Sequence, residues 1–266
     1  MDLELIEKLD NFNIDANIGL SVTERIPLEN GEFIYGSIVD DYYWNAFTRF
    51  QVNDKEEFYN IWEKAKLLML EKNRQPAIFV LPIMNIYNSD YMEEKFKLVS
   101  TEEWMIYNKF ENIETLKTNC KLDIKIEQTT DMELYGEINA KGFSTGDPDD
   151  PYGELADCYK EAYKSYNGSN KNFSQEFYFI KLRNEIVGVV AITYNAEIMG
   201  IYGLAILQEY RKQNIGKEVL KRLLILCREK KLKLAFLQTE YGFYPAELYR
   251  NIGFETICIG KVYIEK

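Results

Sequence analysis

From residue 122 onward the chain alternates between a two-residue and a 3.6-residue apolar rhythm, which predicts strands and helices in turn. Leu122 to Glu127 reads as a strand, and Thr130 to Lys141 as a helix opened by a capping threonine. The polar stretch Phe143 to Pro151 reads as a loop and Ala156 to Tyr166 as a second helix. Glu176 to Leu182 and Ile186 to Tyr194 form a hairpin around Arg183-Asn184-Glu185. A third strand, Ile198 to Leu207, runs into a helix from Asn214 to Lys230. Ile215, Val219, Leu220, Leu223, Leu224 and Cys227 give that helix one apolar face. Leu232 to Gln238 reads as a buried strand, Pro245 to Asn251 as a short helix and Thr256 to Ile264 as a final strand.

The first half carries a thinner version of the same order. Glu32 to Val39 and Tyr42 to Phe50 read as strands. Lys55 to Lys72 reads as a helix with Phe58, Ile61, Trp62, Ala65 and Leu68 on one face. Ala77 to Leu81 is a buried strand, and Lys97 to Tyr107 contains another. The stretch between Asn112 and Leu122 is polar, so the expected domains are residues 1–117 and 118–266, both of α/β (α+β) class.

Composition narrows the chemistry. The 266 residues are 46% hydrophobic, enough to fill cores, and include no histidine. That removes Ser-His-Asp and Cys-His catalysis and every His-ligated metal site. Cys120, Cys158, Cys227 and Cys258 are too widely spaced for a C-x-x-C redox or zinc pattern, so no metal and free thiols are expected. With 32 Lys+Arg against 43 Asp+Glu the formal charge is -11, which opposes a nucleic-acid groove. Met1-Asp2-Leu3-Glu4 lacks the basic start and apolar run of a signal peptide, and no apolar stretch reaches a membrane span. A cytoplasmic protein with no membrane or nucleic-acid partner is expected, its oligomeric state open between monomer and homodimer.

The segment Leu204-Ala205-Ile206-Leu207-Gln208-Glu209-Tyr210-Arg211-Lys212-Gln213-Asn214-Ile215-Gly216-Lys217 carries the candidate chemistry. A buried strand leads through a turn into a long helix, whose first amides lack intrahelical partners and whose dipole favours anions. Gly216 leaves the backbone open to close approach by a phosphate, and Arg211 and Lys217 add positive charge. Taken alone, the segment is either such an anion turn or a helix simply capped by Asn214. Thirty-three residues past Gly216 stands Tyr249, in Ala246-Glu247-Leu248-Tyr249-Arg250-Asn251-Ile252-Gly253-Phe254.

This order, strand-turn-helix, strand, then Leu-Tyr-x-x-x-Gly-Phe on a short helix, resembles the GNAT superfamily of N-acetyltransferases. The resemblance runs from about Leu122 to Lys266 and implies a mixed twisted sheet flanked by helices, with acetyl-CoA as acetyl donor. It implies that the backbone at Leu204, Ala205 and Ile206 pairs with the pantetheine arm. The amides of Arg211, Lys212, Gln213, Asn214, Ile215 and Gly216, together with Lys217, would hold the pyrophosphate. Tyr249 would stand near the thioester sulfur and protonate the departing thiolate. Two positions depart from the family: Asn214 replaces the first loop glycine, and Gly242 replaces an asparagine before the tyrosine helix. Leu237 stands where some relatives carry a glutamate base, and Glu240 lies further along, its role unassigned.

The first half reads either as a degenerate repeat of this fold, giving tandem GNAT-like lobes, or as an unrelated α+β domain. Its matching turn, Gln51-Val52-Asn53-Asp54-Lys55-Glu56-Glu57, has three acids and no glycine, which would repel a pyrophosphate. Asp147, Asp149 and Asp150 fall where the family lines its acceptor side; they either attract an amine or form a solvated turn. The expected activity is acetyl transfer to a primary amine, with a small, possibly cationic molecule as acceptor. The competing expectation is a catalytically silent CoA-binding sensor or scaffold.

Overall fold

The structure, a computed structural model, describes residues 1–87, 90–143, 155–168 and 171–266. By its contacts the chain forms two compact units, Met1–Trp104 with Ile257–Lys266, and Met105–Thr256. The break therefore falls at Trp104, ahead of the polar stretch read as a linker, and the last ten residues rejoin the first unit.

The first unit opens with helix α1 (Leu3–Ala16), capped by Asp2, whose carboxylate accepts from the Leu5 amide at 3.0 Å. Then come β1 (Glu24–Leu28), β2 (Gly31–Tyr35), β3 (Phe47–Thr48), α2 (Lys55–Glu71), β4 (Ala77–Val80), α3 (Asp90–Lys95) and β5 (Phe96–Tyr107). Helix α2 buries Phe58, Ile61, Trp62 and Ala65 as its periodicity predicts, with Met69 rather than Leu68 completing the face. The strand expected over Tyr42 to Phe50 is instead a single 3-10 turn, Tyr42–Trp44, followed by the two residues of β3. Asp41 accepts from the Tyr43 amide, and the Asn45 side chain donates to the carbonyls of Val39 and Asp41. These side-chain bonds bend the backbone away from a ladder.

The second unit contains β6 (Ile124–Thr129), α4 (Met132–Gly142), α5 (Ala156–Ser165), β7 (Ser174–Leu182), β8 (Glu185–Tyr194), β9 (Ile198–Ile206), α6 (Ile215–Glu229), β10 (Leu234–Glu240) and α7 (Tyr244–Ile252). The chain ends in β11 (Glu255–Glu265). Helix α4 is capped by Asp131 rather than by Thr130: the Asp131 carboxylate accepts from the Leu134 amide at 3.0 Å. The strand order is β1-β2-β3-β4-β11-β5 in the first unit and β10-β9-β8-β7-β6 in the second. Within the second unit β6, β7, β8 and β9 are antiparallel neighbours, and β9 and β10 run parallel. Helix α6 covers one face, where Val219, Leu220, Leu224 and Cys227 are fully buried against Val190, Ile192 and Met199. At the far end of α6, Lys230 bonds Glu176 at 3.1 Å and the Tyr194 hydroxyl at 2.8 Å, anchoring the helix C-terminus to the sheet.

Space is tightest where β8 meets the end of β9. A Cβ on Gly188 would stand 2.3 Å from the Ala205 carbonyl oxygen, a backbone atom that has no rotamer to escape into. Gly188→Ala is therefore expected to lower stability by roughly 1–3 kcal/mol, the cost of overpacking, as read by urea denaturation. Among the described residues, no helix is long and apolar enough to cross a membrane.

Candidate functional site

The site is built on a change of strand pairing in the second unit. β9 and β10 are in register at Ile198 with Leu234, Met199 with Ala235, and Gly200 with Phe236, and no further. Among the described residues the two strands have no register pair beyond Gly200, so they part before Leu204, Ala205 and Ile206 are reached. On its other edge β9 stays paired to β8, but with a bulge: Val189 faces Ala205 and Ala191 faces Tyr202, leaving Gly203 and Leu204 opposite Val190. Gly203 has φ +55°, the left-handed conformation that such a bulge requires and glycine adopts without strain. The opened edge presents backbone donors and acceptors to whatever enters the notch.

Beyond β9 the chain makes one 3-10 turn, Gln208–Tyr210, and enters α6. Lys212 (φ 60°) and Asn214 (φ 61°) are both left-handed, a curl that brings successive N–H groups to one side. The Asn214 side chain does not cap the helix; it turns outward and donates to the Asn119 carbonyl at 3.4 Å. The first amides that bond backwards around the turn are those of Tyr210 and Arg211, to Leu207 and Gln208, and the next is that of Glu218, to Asn214. Six consecutive amides, from Lys212 to Lys217, thus have no acceptor among the described residues. The row stands at the N-terminus of a 15-residue helix, the end where the helix dipole favours negative charge. Among the described residues a Cβ on Gly216 would meet only Leu248 Cδ1, at 3.9 Å, so packing against them does not call for a glycine here. Lys212, Gln213, Asn214, Ile215, Gly216 and Lys217, expected from the sequence to face an anion, are the residues whose amides lack an acceptor among the described residues.

Arg211 behaves differently from that reading. Its Nε donates to the Ile206 carbonyl at 2.9 Å and its Nη2 to the Gly142 carbonyl, and burial lowers its pKa from the ordinary guanidinium value. The matching turn of the first unit differs more. There the Asn53 amide donates to Glu57 Oε2 at 2.7 Å, the Glu57 amide to Asp54 Oδ1 at 2.9 Å, and the Val52 amide to Asn85 Oδ1 at 3.3 Å. Carboxylates and a side-chain amide of the chain itself occupy the donors that the second unit leaves open.

Tyr249 lies on α7, its ring 6.0 Å from that of Phe254 and tilted by 58°. Its hydroxyl has no hydrogen-bond partner among the described residues, and burial pushes its pKa up to about 12. At neutral pH it is a protonated donor awaiting an acceptor. Leu237 is 2% exposed and packed in the core beneath α6, which rules out a charged residue there. Glu240, three residues on at the end of β10, is half-buried with no ion-pair or hydrogen-bond partner among the described residues. Burial raises its pKa above the usual carboxylate value. Sequence reasoning left Glu240 unassigned; its signal is a lone acid in a strand otherwise apolar or neutral. Asp147, Asp149 and Asp150 lie outside the described residues.

All four cysteines are free. Cys227 and Cys258 are buried, and burial pushes both thiols up to about 12, too high to act as thiolates. Among the described residues no group of three or more Cys, Asp or Glu could hold a metal ion.

Comparison with known proteins places this geometry. A search of curated proteins found no match. Among solved structures, a functionally unknown conserved protein from Staphylococcus epidermidis superposes with a TM-score of 0.68 at 15% identity, covering 91% of this chain and 93% of that one. A GCN5-related N-acetyltransferase from Kribbella flavida gives 0.62 at 12% identity, covering 96% and 94%. A tandem GNAT protein from the clavulanic acid biosynthesis pathway gives 0.59 at 9% identity, covering 94% and 86%. At these identities the likeness is one of fold, and the fold is that of GNAT proteins, tandem ones included. The model of the Acetyltransferase (GNAT) family matches residues 137–254, which hold β9, the amide row, α6 and Tyr249. Residues 137–254, within the second unit, are thus similar to the GNAT acetyltransferase family, and the fold around them is that of GNAT proteins.

Proposed function

We propose that the second unit transfers the acetyl group of acetyl-CoA to the primary amine of a small molecule by direct attack on the thioester. The observation that carries this reading is the row of six amides from Lys212 to Lys217 with no acceptor among the described residues, beside a strand whose pairing with β10 ends at Gly200. Pyrophosphate would accept from the amide row. The pantetheine arm would lie along Leu204, Ala205 and Ile206, bonding the edge as an added strand does. The thioester would then reach the parting of β9 and β10, with Tyr249 on one side and Glu240 following β10 on the other.

In the reaction the neutral amine nitrogen attacks the carbonyl carbon; the C–N bond forms, the C–S bond breaks, and the electron pair leaves on sulfur. The nitrogen loses one proton, and the released CoA gains one. Glu240 is the carboxylate available to take the amine's proton, directly or through water, and its raised pKa makes it a better base than a solvated glutamate. Burial also refines the role of Tyr249. A hydroxyl of pKa about 12 would surrender its proton to a thiolate of ordinary pKa near 8.5 only at a cost of roughly 5 kcal/mol. Tyr249 therefore stabilises the developing thiolate as a hydrogen-bond donor, and the proton that ends on sulfur comes, in net terms, from the acceptor.

The test is a panel of primary amines incubated with protein and acetyl-CoA, with free thiol read as CoA is released. Turnover on at least one amine, rising with pH as the amine loses its proton, is the expected result. Glu240→Gln should lower that rate by about 100-fold or more while acetyl-CoA affinity holds. Binding of acetyl-CoA with no turnover across the panel would instead favour a silent CoA-binding protein.

A further inference from the structure

The end of α4, with Tyr163 of α5, lies against the bulged stretch of β9 at Gly203 and Ala205. The Asn139 side-chain amide reaches the Gly203 carbonyl at 3.5 Å, and the Tyr163 hydroxyl comes within 3.0 Å of where a Gly203 Cβ would be. A Cβ on Gly142 would stand 2.6 Å from the Ala205 Cβ, so that residue must be bare for the helix end to lie against the strand. Arg211 adds its bonds to the Ile206 and Gly142 carbonyls. One guanidinium thus bonds both the last residue of β9 and the last residue of α4, while its own backbone directly precedes the amide row. A lysine could not do this: a planar guanidinium supplies divergent donors in a fixed fork, whereas an ammonium is a point charge on a flexible stem.

We propose that Arg211 is a positioning residue, holding the C-terminal turn of α4 against β9 and the start of the donor turn rather than binding phosphate. The inference rests on the acetyl-CoA reading of the amide row for its functional meaning. Its consequence is a division of labour within one turn. Charge and amides from Lys212 to Lys217 bind the donor, and the arginine before them holds the end of α4 against β9.

Arg211→Gln removes the charge and the fork, and Arg211→Lys keeps the charge and removes only the fork. Hydrogen exchange of the Phe143 amide, which donates to the Asn139 carbonyl at 3.0 Å at the end of α4, reports on the brace. Both variants should speed that exchange by about 10-fold, the worth of two lost hydrogen bonds, with or without acetyl-CoA. Titration with acetyl-CoA should give dissociation constants within about 3-fold of the parent for both, and the same dependence on salt concentration. The opposite pattern would overturn the proposal: unchanged exchange, with Arg211→Gln weakening acetyl-CoA and flattening the salt dependence, would make Arg211 a phosphate ligand. If the parent protein binds no acetyl-CoA but the variants still loosen Phe143, the brace stands and the donor reading falls.

Discussion

Tyr249→Phe should lose turnover by about 100- to 1,000-fold, the usual cost of removing one hydrogen-bond donor from a developing anion. The change removes only an oxygen. The ring keeps its tilted contact with Phe254, and because the hydroxyl has no protein partner among the described residues, no bond within the fold is broken. Stability should stay within about 0.5 kcal/mol of the parent and the acetyl-CoA dissociation constant nearly unchanged. The loss should be uniform from pH 6 to 9, because a hydroxyl of pKa about 12 is protonated throughout that range. Equal turnover in the two proteins would remove Tyr249 from the mechanism. An equal loss of donor affinity would make the hydroxyl a binding group.

Gly216→Trp should abolish donor binding without unfolding the protein. A Cβ here meets only Leu248 among the described residues, at van der Waals distance, and projects from the first turn of α6 where the amides emerge. It would occupy the space of the anion while the helix beneath stays packed through Ile215, Val219 and Leu220. In the parent, acetyl-CoA at 100 times its dissociation constant contributes roughly 2.7 kcal/mol by mass action. For a unit of about 150 residues that raises the melting temperature by roughly 5–10 °C. The variant should melt close to the ligand-free parent and show no such rise. A variant that melts normally and still responds to acetyl-CoA would place the phosphate elsewhere.

The second unit was legible because its elements are long and regularly periodic, and because the turn chemistry around Asn214 and Gly216 is local in sequence. What the sequence hid was held by partners far along the chain. Helix α1 has a capping Asp2 and apolar Ile6, Leu9 and Phe12, yet its core side also carries Asp10 and Asn13. Those polar residues break the apolar stripe on paper; in the fold Asp10 pairs with Arg49 at 2.7 Å and Asn13 donates to the Tyr43 hydroxyl at 2.8 Å. Strand β1 contains Pro27, which argues against a central strand, and β1 is an edge strand where proline is tolerated. Tyr42 to Phe50 has the composition of a strand but is bent by Asp41 and Asn45. Arg211 lies in the donor turn by sequence, and nothing near it there shows that its guanidinium is taken by a carbonyl 69 residues earlier. The parting of β9 from β10 is likewise a matter of pairing, which no local pattern encodes.

The most direct test of the amide row is calorimetric titration of the parent protein with acetyl-CoA and, in parallel, with S-acetylpantetheine, which has the thioester arm but neither pyrophosphate nor nucleotide. Charge-assisted hydrogen bonds are worth roughly 1.5–3 kcal/mol each, so losing even two should weaken binding by about 100-fold or more. The predicted result is saturable acetyl-CoA binding that weakens as salt is raised, and S-acetylpantetheine binding at least about 100-fold weaker and insensitive to salt. Equal affinity for the two, or no heat with acetyl-CoA, would contradict the assignment of Lys212 to Lys217 as the pyrophosphate site.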